Sequence, residues 1–407
     1  MSKIKEKIVL AFSGGLDTSA IIPWLKLNYD CEVYAVAADV GQNAEELIGV
    51  KDKAIALGAE DCVVVDLKEA LVKDCIFPMA KINARYENRY LLGTAIARPY
   101  IAKAQVDYAL SIGATALCHG CTGKGNDQIR FEMAYASLAP ELKVIAPWRI
   151  WNMQSREDLH QFIIEQGLSS TAKVNKQYSR DENLWHLSHE GDCLEDPWNA
   201  PEPSMWQLTR SLNETPDAPQ DVQLSFHQGD LIAIDGASVT PYQGIKQLNE
   251  LGGIHGVGRI DIVENRTIGM KSRGCYETPA GTIVYAALES LEELVLDKES
   301  SGFKRGIAEQ FAQLVYEGKW FTPLMETLLL TANKLCEKMT GDVVLTLHKG
   351  HAMVKQRRAP NSLYDHAYAT FDDDDVYDQK DAAGFIRLFS LSSRIQHGKN
   401  NKSENEV

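Results

Sequence analysis

Residues 8–19 read IVLAFSGGLDTS, an apolar run that leads into a glycine-hinged loop and then into a helical pattern. This order predicts a β-strand followed by a loop at the amino end of a helix. The adjacent Gly14 and Gly15 let the backbone approach an anion without a Cβ in the way, and three hydroxyl side chains accompany them. Unpaired N–H groups and the positive end of the helix dipole point at the same place. The stretch therefore predicts a phosphate-binding loop within an α/β fold.

The loop matches neither of the two common nucleotide-binding loops. No Gly-Lys-Ser/Thr closes it, as in a Walker A loop, and its glycine spacing differs from the dinucleotide-binding GxGxxG pattern. A turn that binds nothing is also disfavoured, because such turns rarely collect three hydroxyl groups and a carboxylate. The local pattern thus predicts a bound phosphate compound and leaves its identity open.

The composition is that of an acidic chain with room for more than one core. Its 407 residues predict two large units and a tail, and 42 basic against 56 acidic side chains leave a formal charge of −14. This charge is poorly suited to holding a nucleic acid and favours small-molecule substrates. The eight cysteines follow no disulfide framework, no long apolar span occurs, and the first strand begins too early for a signal peptide. We therefore expect a soluble cytoplasmic protein with no membrane or nucleic-acid partner.

The first part of the chain alternates short apolar runs with helical patterns, which predicts βαβ units and a parallel sheet. The apolar runs lie at 8–12, 33–38, 62–67, 114–120 and 143–148. Gly58 and Gly113 are expected at helix ends, and Ser155 is expected to cap a helix that stops near Gly167. Pro23 lies inside the first helical pattern and predicts a kink or a short helix, because proline removes a backbone hydrogen bond.

Beyond residue 170 the pattern changes to long polar stretches and hairpins, which predicts an α+β domain. Alternating runs predict hairpins at 222–235 and 343–357, and helices are expected at 304–317 and 323–339, closed by Gly318 and Gly341. The segment from residue 382 is interpreted as a helical arm that reaches a neighbouring subunit. We therefore divide the chain into a nucleotide-binding domain at 1–168, a second domain at 169–370 and a carboxyl-terminal arm at 371–407.

A second glycine-rich stretch, CHGCTGKGND at 118–127, follows a predicted strand and precedes a helical pattern. Ligands gather at the carboxyl ends of parallel strands, so this loop is expected on the same edge as the first. Lys124 can neutralise phosphate charge, while Thr122, Asn126 and Asp127 offer hydrogen bonds to a polar substrate. A flexible surface loop is the competing interpretation, and it is disfavoured because so many glycines are costly to order without a ligand.

Two features raise the question of a metal site. Cys118 and Cys121 form a CxxC-like pair, but no second pair or histidine cluster completes a zinc site, so small buried cysteines are the preferred interpretation. The acidic run at 372–375 is interpreted as a solvated loop, because adjacent carboxylates repel one another and lack ligand-like spacing. We therefore predict no metal site formed by the protein alone.

Taken together, these strings resemble the argininosuccinate synthase family of the ATP pyrophosphatase superfamily, whose members cleave ATP between the α and β phosphates. The first loop is similar to the SGGxD[ST] pyrophosphate loop of that superfamily. The other matching strings follow in the family's order: RYLLGTAIARP at 89–99, HGCTGKGNDQIRFE at 119–132, KVIAPWR at 143–149, SRDENLWHLS at 179–188 and the charged stretch at 256–282. The resemblance implies a parallel-sheet ATP-binding domain, a synthetase domain and a homotetramer.

The resemblance also assigns residues to each substrate. ATP, accompanied by Mg²⁺, is expected on Ala11, Phe12, Ser13, Gly14, Gly15, Leu16, Asp17, Thr18, Ser19, Ala38 and Gly120. Citrulline is expected on Tyr90, Ala95, Asn126, Arg130, Ser179, Ser188, Glu264 and Tyr276. Aspartate is expected on Thr122, Asn126 and Asp127, and the residues expected to act in catalysis are Asp17, Lys124 and Asp127. Such mixed charges suit a zwitterion, whose carboxylate prefers an arginine fork and whose ammonium prefers a carboxylate.

The implied reaction condenses citrulline and aspartate with ATP and releases AMP and pyrophosphate through a citrulline-adenylate. The aspartate amine must lose a proton before it displaces AMP, and Asp127 and the departing phosphate oxygens are the two candidate bases. Three positions depart from the family pattern, and none lies in the phosphate loop itself: Ala95, Cys121 and Pro23, a proline that the family pattern does not lead us to expect. Ala95 lacks the hydroxyl expected at a citrulline contact, which Thr94 could supply, and Cys121 stands where a smaller or hydroxyl residue is usual.

Two other functions compete with this interpretation. A tRNA-thiolating or amidotransferase-type ATP pyrophosphatase would need a reactive cysteine and a basic RNA face, or an additional nucleophile domain. The charge of −14 and the lack of a recognisable extra domain disfavour both. An ATP-binding sensor would share the α/β layout, but it would not need the charged stretch at 256–282.

Overall fold

The amino-terminal part of the chain forms a five-stranded sheet in the computed structural model, which describes residues 5–168, 178–370 and 376–404. The strands are β1 (Glu6–Ala11), β2 (Cys31–Asp39), β3 (Asp61–Asp66), β4 (Ala116–Cys118) and β5 (Lys143–Ile145). Their order is β3-β2-β1-β4-β5 and the pairings are parallel, which confirms the predicted α/β class. The order reverses between β1 and β4, and sheets of this kind bind ligands at the carboxyl edge near such a reversal.

Helices cover both faces of this sheet. They are α1 (Leu16–Asn28), α2 (Val50–Ala56), α5 (Gly93–Ser111), α6 (Asp127–Leu138) and α7 (Arg156–Glu165). The short helices α3 (Lys68–Leu71) and α4 (Phe77–Lys81), with a π-helical turn, Val72–Ile76, between them, pack instead in the core shared with the second half of the chain. Ile8 and Leu10 of β1 pack with α1, α2 and α7, whereas Val9 and Ala11 pack with α5 and α6. Because β1 is buried on both faces, its sequence is a continuous apolar run rather than an alternating one.

Helix α1 runs through Pro23 from Leu16 to Asn28, so of the two predicted outcomes the short helix is wrong and the kink stays a prediction. Pro23 is buried, and Ile21 and Leu25 beside it belong to the core beneath the sheet. An interior proline costs about 3 kcal/mol in lost hydrogen bonding and steric clash. Burial of the apolar side of α1 offsets this cost, since each fully buried aliphatic side chain contributes about 1.5–3 kcal/mol.

The predicted helix ends are confirmed in this part of the chain. Gly58 and Gly113 have φ values of +104° and +65°, which glycine adopts readily at a helix end. Ser155 and Asp158 form a capping box at the start of α7, which ends at Glu165.

The second half of the chain contains two antiparallel sheets. Its strands are β6 (Ser179–Glu182), β7 (Leu187–Glu190), β8 (Gln220–His227), β9 (Asp230–Ile234), β10 (Ala237–Ser238), β11 (Arg259–Asn265), β12 (Lys271–Glu277), β13 (Gly341–His348) and β14 (His351–Arg358). One sheet has the order β11-β12-β7-β6 and the other β10-β9-β8-β13-β14. Its helices are α8 (Pro241–Ile254), α9 (Pro279–Val295), α10 (Lys298–Tyr316) and α11 (Pro323–Cys336).

Both predicted hairpins and both predicted helices of this half are confirmed, with shifted boundaries. Helix α10 begins at Lys298 because Asp297 caps it through the N–H of Ser300. Gly318 has a φ of +74° just after α10, as expected of a helix end. The prediction that Gly341 closes α11 is wrong, because Gly341 begins β13. A Cβ there would lie 2.2 Å from the Arg358 carbonyl oxygen, so close strand pairing accounts for this glycine.

Residues 1–361 form one compact unit and residues 362–407 form a second. In the first unit, one continuous core contains Ile76 and Ile96 from the amino-terminal half together with Ile283 and Val343 from the other half. The predicted domain boundary between residues 168 and 169 therefore stays a prediction, because the two halves on either side of it share one core. The second unit contains α12 (His366–Ala369), α13 (Asp381–Phe389) and α14 (Leu391–Glu404).

Helix α13 carries exposed Phe385, Leu388 and Phe389. The acidic run at 372–375, part of the predicted carboxyl-terminal arm, lies outside the described residues. Within the described ranges, no helix is long and apolar enough to cross a membrane.

Candidate active site

The loop between β1 and α1 presents hydroxyl groups at an uncapped helix end. Gly14 has a φ of +72°, and no side-chain hydrogen bond caps α1 at Gly15. Ser13 is exposed, and its Oγ lies 3.2 Å from Thr18 Oγ1. Ser19 Oγ is buried and has no hydrogen-bond partner within the part of the chain that the structure describes. The orphaned hydroxyl and the free helix N–H groups suit an anion.

The remaining residues predicted for ATP divide into packed and polar positions. Ala11, Phe12 and Leu16 have buried side chains within the two cores beside the sheet, which leaves their backbones for a ligand. Ala38 lies near the end of β2, half-buried, and its carbonyl accepts a hydrogen bond of 2.9 Å from Gln42. Burial raises the pKa of Asp17 in the first turn of α1, and the charge of Arg156 opposes that shift.

The second glycine-rich loop lies directly against the first. A Cβ on Gly120, just after β4, would lie 2.9 Å from Thr18 Cγ2, so glycine allows the close approach. The prediction that both loops share one edge of the sheet is confirmed. Thr122 and Lys124 are exposed in this loop, and Asn126 is buried immediately before α6.

A lysine that the sequence analysis did not select reaches the first loop from α2. Lys53 Nζ donates a hydrogen bond of 2.5 Å to the Gly14 carbonyl, and burial lowers the pKa of this lysine. Val50 of the same helix packs against Gly14. The sequence of α2 contains no sign of this contact, because it depends on how α2 packs beside the loop that follows β1. The loop therefore has a cation, although its own sequence contains none.

Asp127 lies between two arginines. Its Oδ2 accepts a hydrogen bond of 2.9 Å from Arg98 Nε, and its Oδ1 one of 2.8 Å from Arg130 Nη1. Burial opposes the charged form, but the two guanidinium groups outweigh it and lower the pKa of Asp127 to about 2. Arg98 also forms an ion pair of 2.8 Å with Asp181 on β6. A carboxylate with so low a pKa is a weak proton acceptor, which disfavours Asp127 as the base for an amine.

Glu264 on β11 lies in a buried cluster of phenols. Tyr276 donates a hydrogen bond of 3.1 Å to its Oε2, and Tyr316 donates one of 2.7 Å to its Oε1. Burial raises the pKa of Glu264, while these hydrogen bonds and the charge of Arg130 oppose the rise. The Tyr316 hydroxyl also accepts a hydrogen bond of 2.9 Å from Asn126 Nδ2. The structure therefore brings Asn126, Arg130, Glu264 and Tyr276 together from distant parts of the chain, while their assignment to citrulline stays a prediction.

The other predicted citrulline residues lie on strands β6 and β7, on helix α5 and in the segment just before α5. The Tyr90 ring stacks on Tyr276 with centroids 4.5 Å apart, and Ser188 lies opposite Tyr276 in the strand register. Ser179 is exposed at the start of β6. Ala95 is fully buried in the first turn of α5.

Two departures from the family pattern have structural consequences. Thr94 Oγ1 lies 2.9 Å from His186 Nε2, so the hydroxyl next to Ala95 already has a protein partner. Cys118 is fully buried, and burial raises the pKa of both Cys118 and Cys121. Among the described residues, no group of three or more His, Cys, Asp and Glu side chains could hold a metal ion. The two cysteines therefore lack the lowered pKa that a reactive thiol requires.

Glu190 is a further carboxyl that the sequence analysis missed. It ends β7 and accepts a hydrogen bond of 2.8 Å from Arg266 Nη2, and Arg266 Nη1 lies 3.3 Å from the Lys124 carbonyl. Burial raises the pKa of Glu190 to about 7, despite the nearby charge of Arg266. Glu190, Lys53 and Tyr316 lie outside the strings that the sequence analysis quoted. Arg98 lies inside the string at 89–99, but it was not selected as a site residue, because only its contact with Asp127 in space connects it with the second loop.

Comparison with known proteins shows similarity along nearly the whole chain. The family model described as the arginosuccinate synthase N-terminal HUP domain matches residues 7–169, and the arginosuccinate synthase C-terminal domain matches residues 178–396. A curated relative from Colwellia psychrerythraea is 59% identical and covers 97% of this chain and 96% of its own length. Relatives from Pseudoalteromonas atlantica (58% identical, 96% and 95%) and Shewanella piezotolerans (57%, 97% and 97%) are similar to it to nearly the same degree. All three relatives are named argininosuccinate synthase.

Proposed function

The chain belongs to the argininosuccinate synthase family, which condenses citrulline and aspartate with ATP in arginine biosynthesis, and from this premise we propose how its side chains divide that reaction. It is an ATP-dependent ligase that releases AMP and pyrophosphate. Because both halves of the chain match this family, we set aside the three alternatives: a tRNA-thiolating enzyme, an amidotransferase-type enzyme and an ATP-binding sensor. The observation that carries the proposal is the meeting of two loops and the Glu264 cluster at one edge of the sheet.

The first loop holds the triphosphate and keeps the pyrophosphate after cleavage. Its hydroxyls, its backbone N–H groups and the amino end of α1 stabilise negative charge that develops on the leaving group. In a Walker A loop, a lysine of the loop itself provides positive charge next to the phosphates. Here Lys53 from α2 provides that charge, and Lys124 of the second glycine-rich loop provides another positive charge. The exposed position of Lys124 and the hydrogen bond of Lys53 to Gly14 support this division.

Mg²⁺ accompanies the ATP. Such an ion is commonly bound by one or two carboxylates together with substrate phosphates rather than by a cage of protein ligands. Asp17 lies half-buried at the loop and Ser13 is exposed there, and these two side chains suit that role. When bound, the ion neutralises charge on the phosphates.

Citrulline binds in the Glu264 cluster. Glu264 forms an ion pair with the ammonium group of citrulline, and Arg130 attracts its carboxylate. The residues that line the rest of the subsite are Tyr90, Tyr276, Ser179 and Ser188, and Ala95 packs behind it. The buried position of Glu264 supports this role, since a charge pair excluded from water is stronger than an exposed one. The ureido oxygen then attacks the α-phosphorus in line, and the adenylate forms by positioning and charge neutralisation.

Aspartate binds on Thr122, Asn126 and Asp127 of the second loop. Its amine displaces AMP from the activated carbon after losing a proton to the departing phosphate oxygens. The low pKa of Asp127, about 2, supports a role in orienting Arg98 and Arg130 rather than in accepting this proton.

The proposed reaction is tested by following pyrophosphate release from ATP with each amino acid omitted in turn. We expect release to require citrulline, and argininosuccinate to appear only when aspartate is also present. Release driven by another acceptor, with citrulline without effect, would contradict the proposal.

Replacing Lys53 with methionine is expected to raise the KM for ATP about tenfold, because a charge-assisted contact to phosphate contributes about 1.5–3 kcal/mol. Lys51→Met is the matched control, since Lys51 on the same helix is exposed and forms a 3.0 Å ion pair with Asp61. Steady-state kinetics of both variants measure their KM values for ATP. If the two values are equal, Lys53 does not contribute to ATP binding.

We also propose a cytoplasmic homotetramer. All eight cysteines are free, which suits a reducing compartment. The exposed aromatic side chains of α13 support contact with another subunit, because apolar patches of this kind mark association surfaces.

A further inference from the structure

Tyr316, the last residue of α10, connects the two amino-acid subsites. It is fully buried, and its hydroxyl accepts a hydrogen bond of 2.9 Å from Asn126 Nδ2 and donates one of 2.7 Å to Glu264 Oε1. Asn126 precedes α6 in the parallel-sheet half, and Glu264 lies on β11 of the antiparallel half. A single hydroxyl group therefore joins side chains from the two halves of the chain.

The ring and backbone of Tyr316 are held as firmly as its hydroxyl. Tyr86 stacks on the ring with centroids 3.6 Å apart and planes 4° from parallel. The Arg130 guanidinium lies 4.9 Å from the ring centroid, and Arg130 Nε donates a hydrogen bond of 2.9 Å to the Tyr316 carbonyl. Tyr316 thus contacts Arg130 through its ring and its backbone, besides contacting Asn126 and Glu264 through its oxygen.

These contacts determine which way the Asn126 amide faces. Its Oδ1 accepts a hydrogen bond of 3.1 Å from the Thr267 N–H, while its Nδ2 donates to Tyr316. If the amide were flipped, its NH2 group would face the Thr267 N–H, which is also a donor. Its oxygen would face the lone pairs of the Tyr316 hydroxyl, whose proton is donated to Glu264. One N–H and one oxygen lone pair of Asn126 remain for substrates, in directions that Tyr316 and Thr267 set. Burial and the neighbouring Glu264 raise the pKa of Tyr316, which keeps its hydroxyl protonated and able to donate.

We propose that Tyr316 is a positioning residue that holds Asn126 and Glu264 in register, so that citrulline and aspartate bind in the relative positions that their condensation requires. This inference rests on the proposed assignment of Asn126 and Glu264 to the amino-acid subsites. It assigns to Tyr316 no contact with the reacting atoms.

The test is Tyr316→Phe in the full-length chain, which removes one oxygen and keeps the ring. The matched control is Tyr285→Phe on α9, where a buried hydroxyl donates to backbone carbonyls, among them that of Ala84 at 2.8 Å. We expect Tyr316→Phe to raise the KM for citrulline about tenfold, because hydrogen bonds to a charged group are worth at least that factor. The KM for aspartate should rise by a smaller factor and the KM for ATP should stay unchanged. Tyr285→Phe should leave all three values unchanged.

Thermal unfolding separates positioning from stability. Both variants should lose a similar amount of stability, while only Tyr316→Phe changes the amino-acid KM values. Adding Tyr316→Phe to Asn126→Ala should raise the citrulline KM less than Tyr316→Phe does alone, because the two act partly as one unit. A citrulline KM equal to that of the control, or an equal rise in all three KM values, would overturn the inference. Pyrophosphate release by the unsubstituted chain without citrulline would instead overturn the proposed function.

Discussion

Glu264→Gln is expected to lower kcat/KM for citrulline by about 100-fold or more, the largest effect that we predict for a single substitution. Removing one partner of a buried charge pair costs about 2–5 kcal/mol, largely because the other charge is left unpaired. The glutamine keeps the size of the side chain, and its one carbonyl oxygen can still accept the hydrogen bond from Tyr316. The Tyr276 hydroxyl must then turn to accept from the new amide N–H, so the main loss is that of the negative charge. Steady-state kinetics with citrulline as the varied substrate measure the effect.

The control for this prediction is Glu292→Gln, because Glu292 is a largely buried carboxylate that pairs with Lys304 between α9 and α10. Both variants should lose stability, but only Glu264→Gln should lose citrulline use. Equilibrium binding of ATP should remain near the unsubstituted value in both variants. A citrulline kcat/KM within tenfold of the unsubstituted chain would show that Glu264 does not pair with the substrate ammonium.

Asp127→Asn is expected to lower both stability and activity. It leaves Arg98 and Arg130 without the carboxylate that separates them. Breaking a fully buried ion pair costs about 3–5 kcal/mol, and because the Asp127 side chain is 29% exposed we expect about 2 kcal/mol. We also expect kcat/KM for aspartate to fall about 100-fold, because the reoriented arginines disturb the second loop. Asp107→Asn is the control, since Asp107 makes an exposed ion pair with Lys103 on α5.

The stability difference for Asp127→Asn should also depend on pH in a stated direction. The native pKa of Asp127, about 2, lies below its ordinary value of 3.8, so ionised Asp127 stabilises the fold. This contribution is fully present above the ordinary pKa and is lost as the pH falls towards 2. Urea unfolding should therefore show a large difference between the two proteins at pH 7 and a shrinking one below pH 4. If the difference in unfolding free energy between the two proteins grew as the pH fell, ionised Asp127 would not be stabilised by Arg98 and Arg130.

Local sequence patterns predicted the regular elements well and their ends less well. The apolar run of β1 and the Ser155 cap depend on neighbours in the chain, so periodicity and capping chemistry were sufficient to identify them. The short helix at Pro23 and the helix end at Gly341 were wrong predictions, because tertiary packing governs both positions. The burial of α1 outweighs a missing hydrogen bond at Pro23, and the close approach of β14 explains Gly341.

The sequence by itself determined the parallel-sheet class, the glycine-hinged loop between β1 and α1 and the family, because each of these depends on residues that lie close together along the chain. Only the tertiary structure showed that Lys53 forms a hydrogen bond with the first loop, which has no lysine of its own. It likewise decided that Asp127 lies between two arginines and that Tyr316 joins Asn126 to Glu264. The physical reason is that hydrogen bonds and ion pairs depend on distance in space, and these partners approach one another only when the two halves of the chain pack on a shared core.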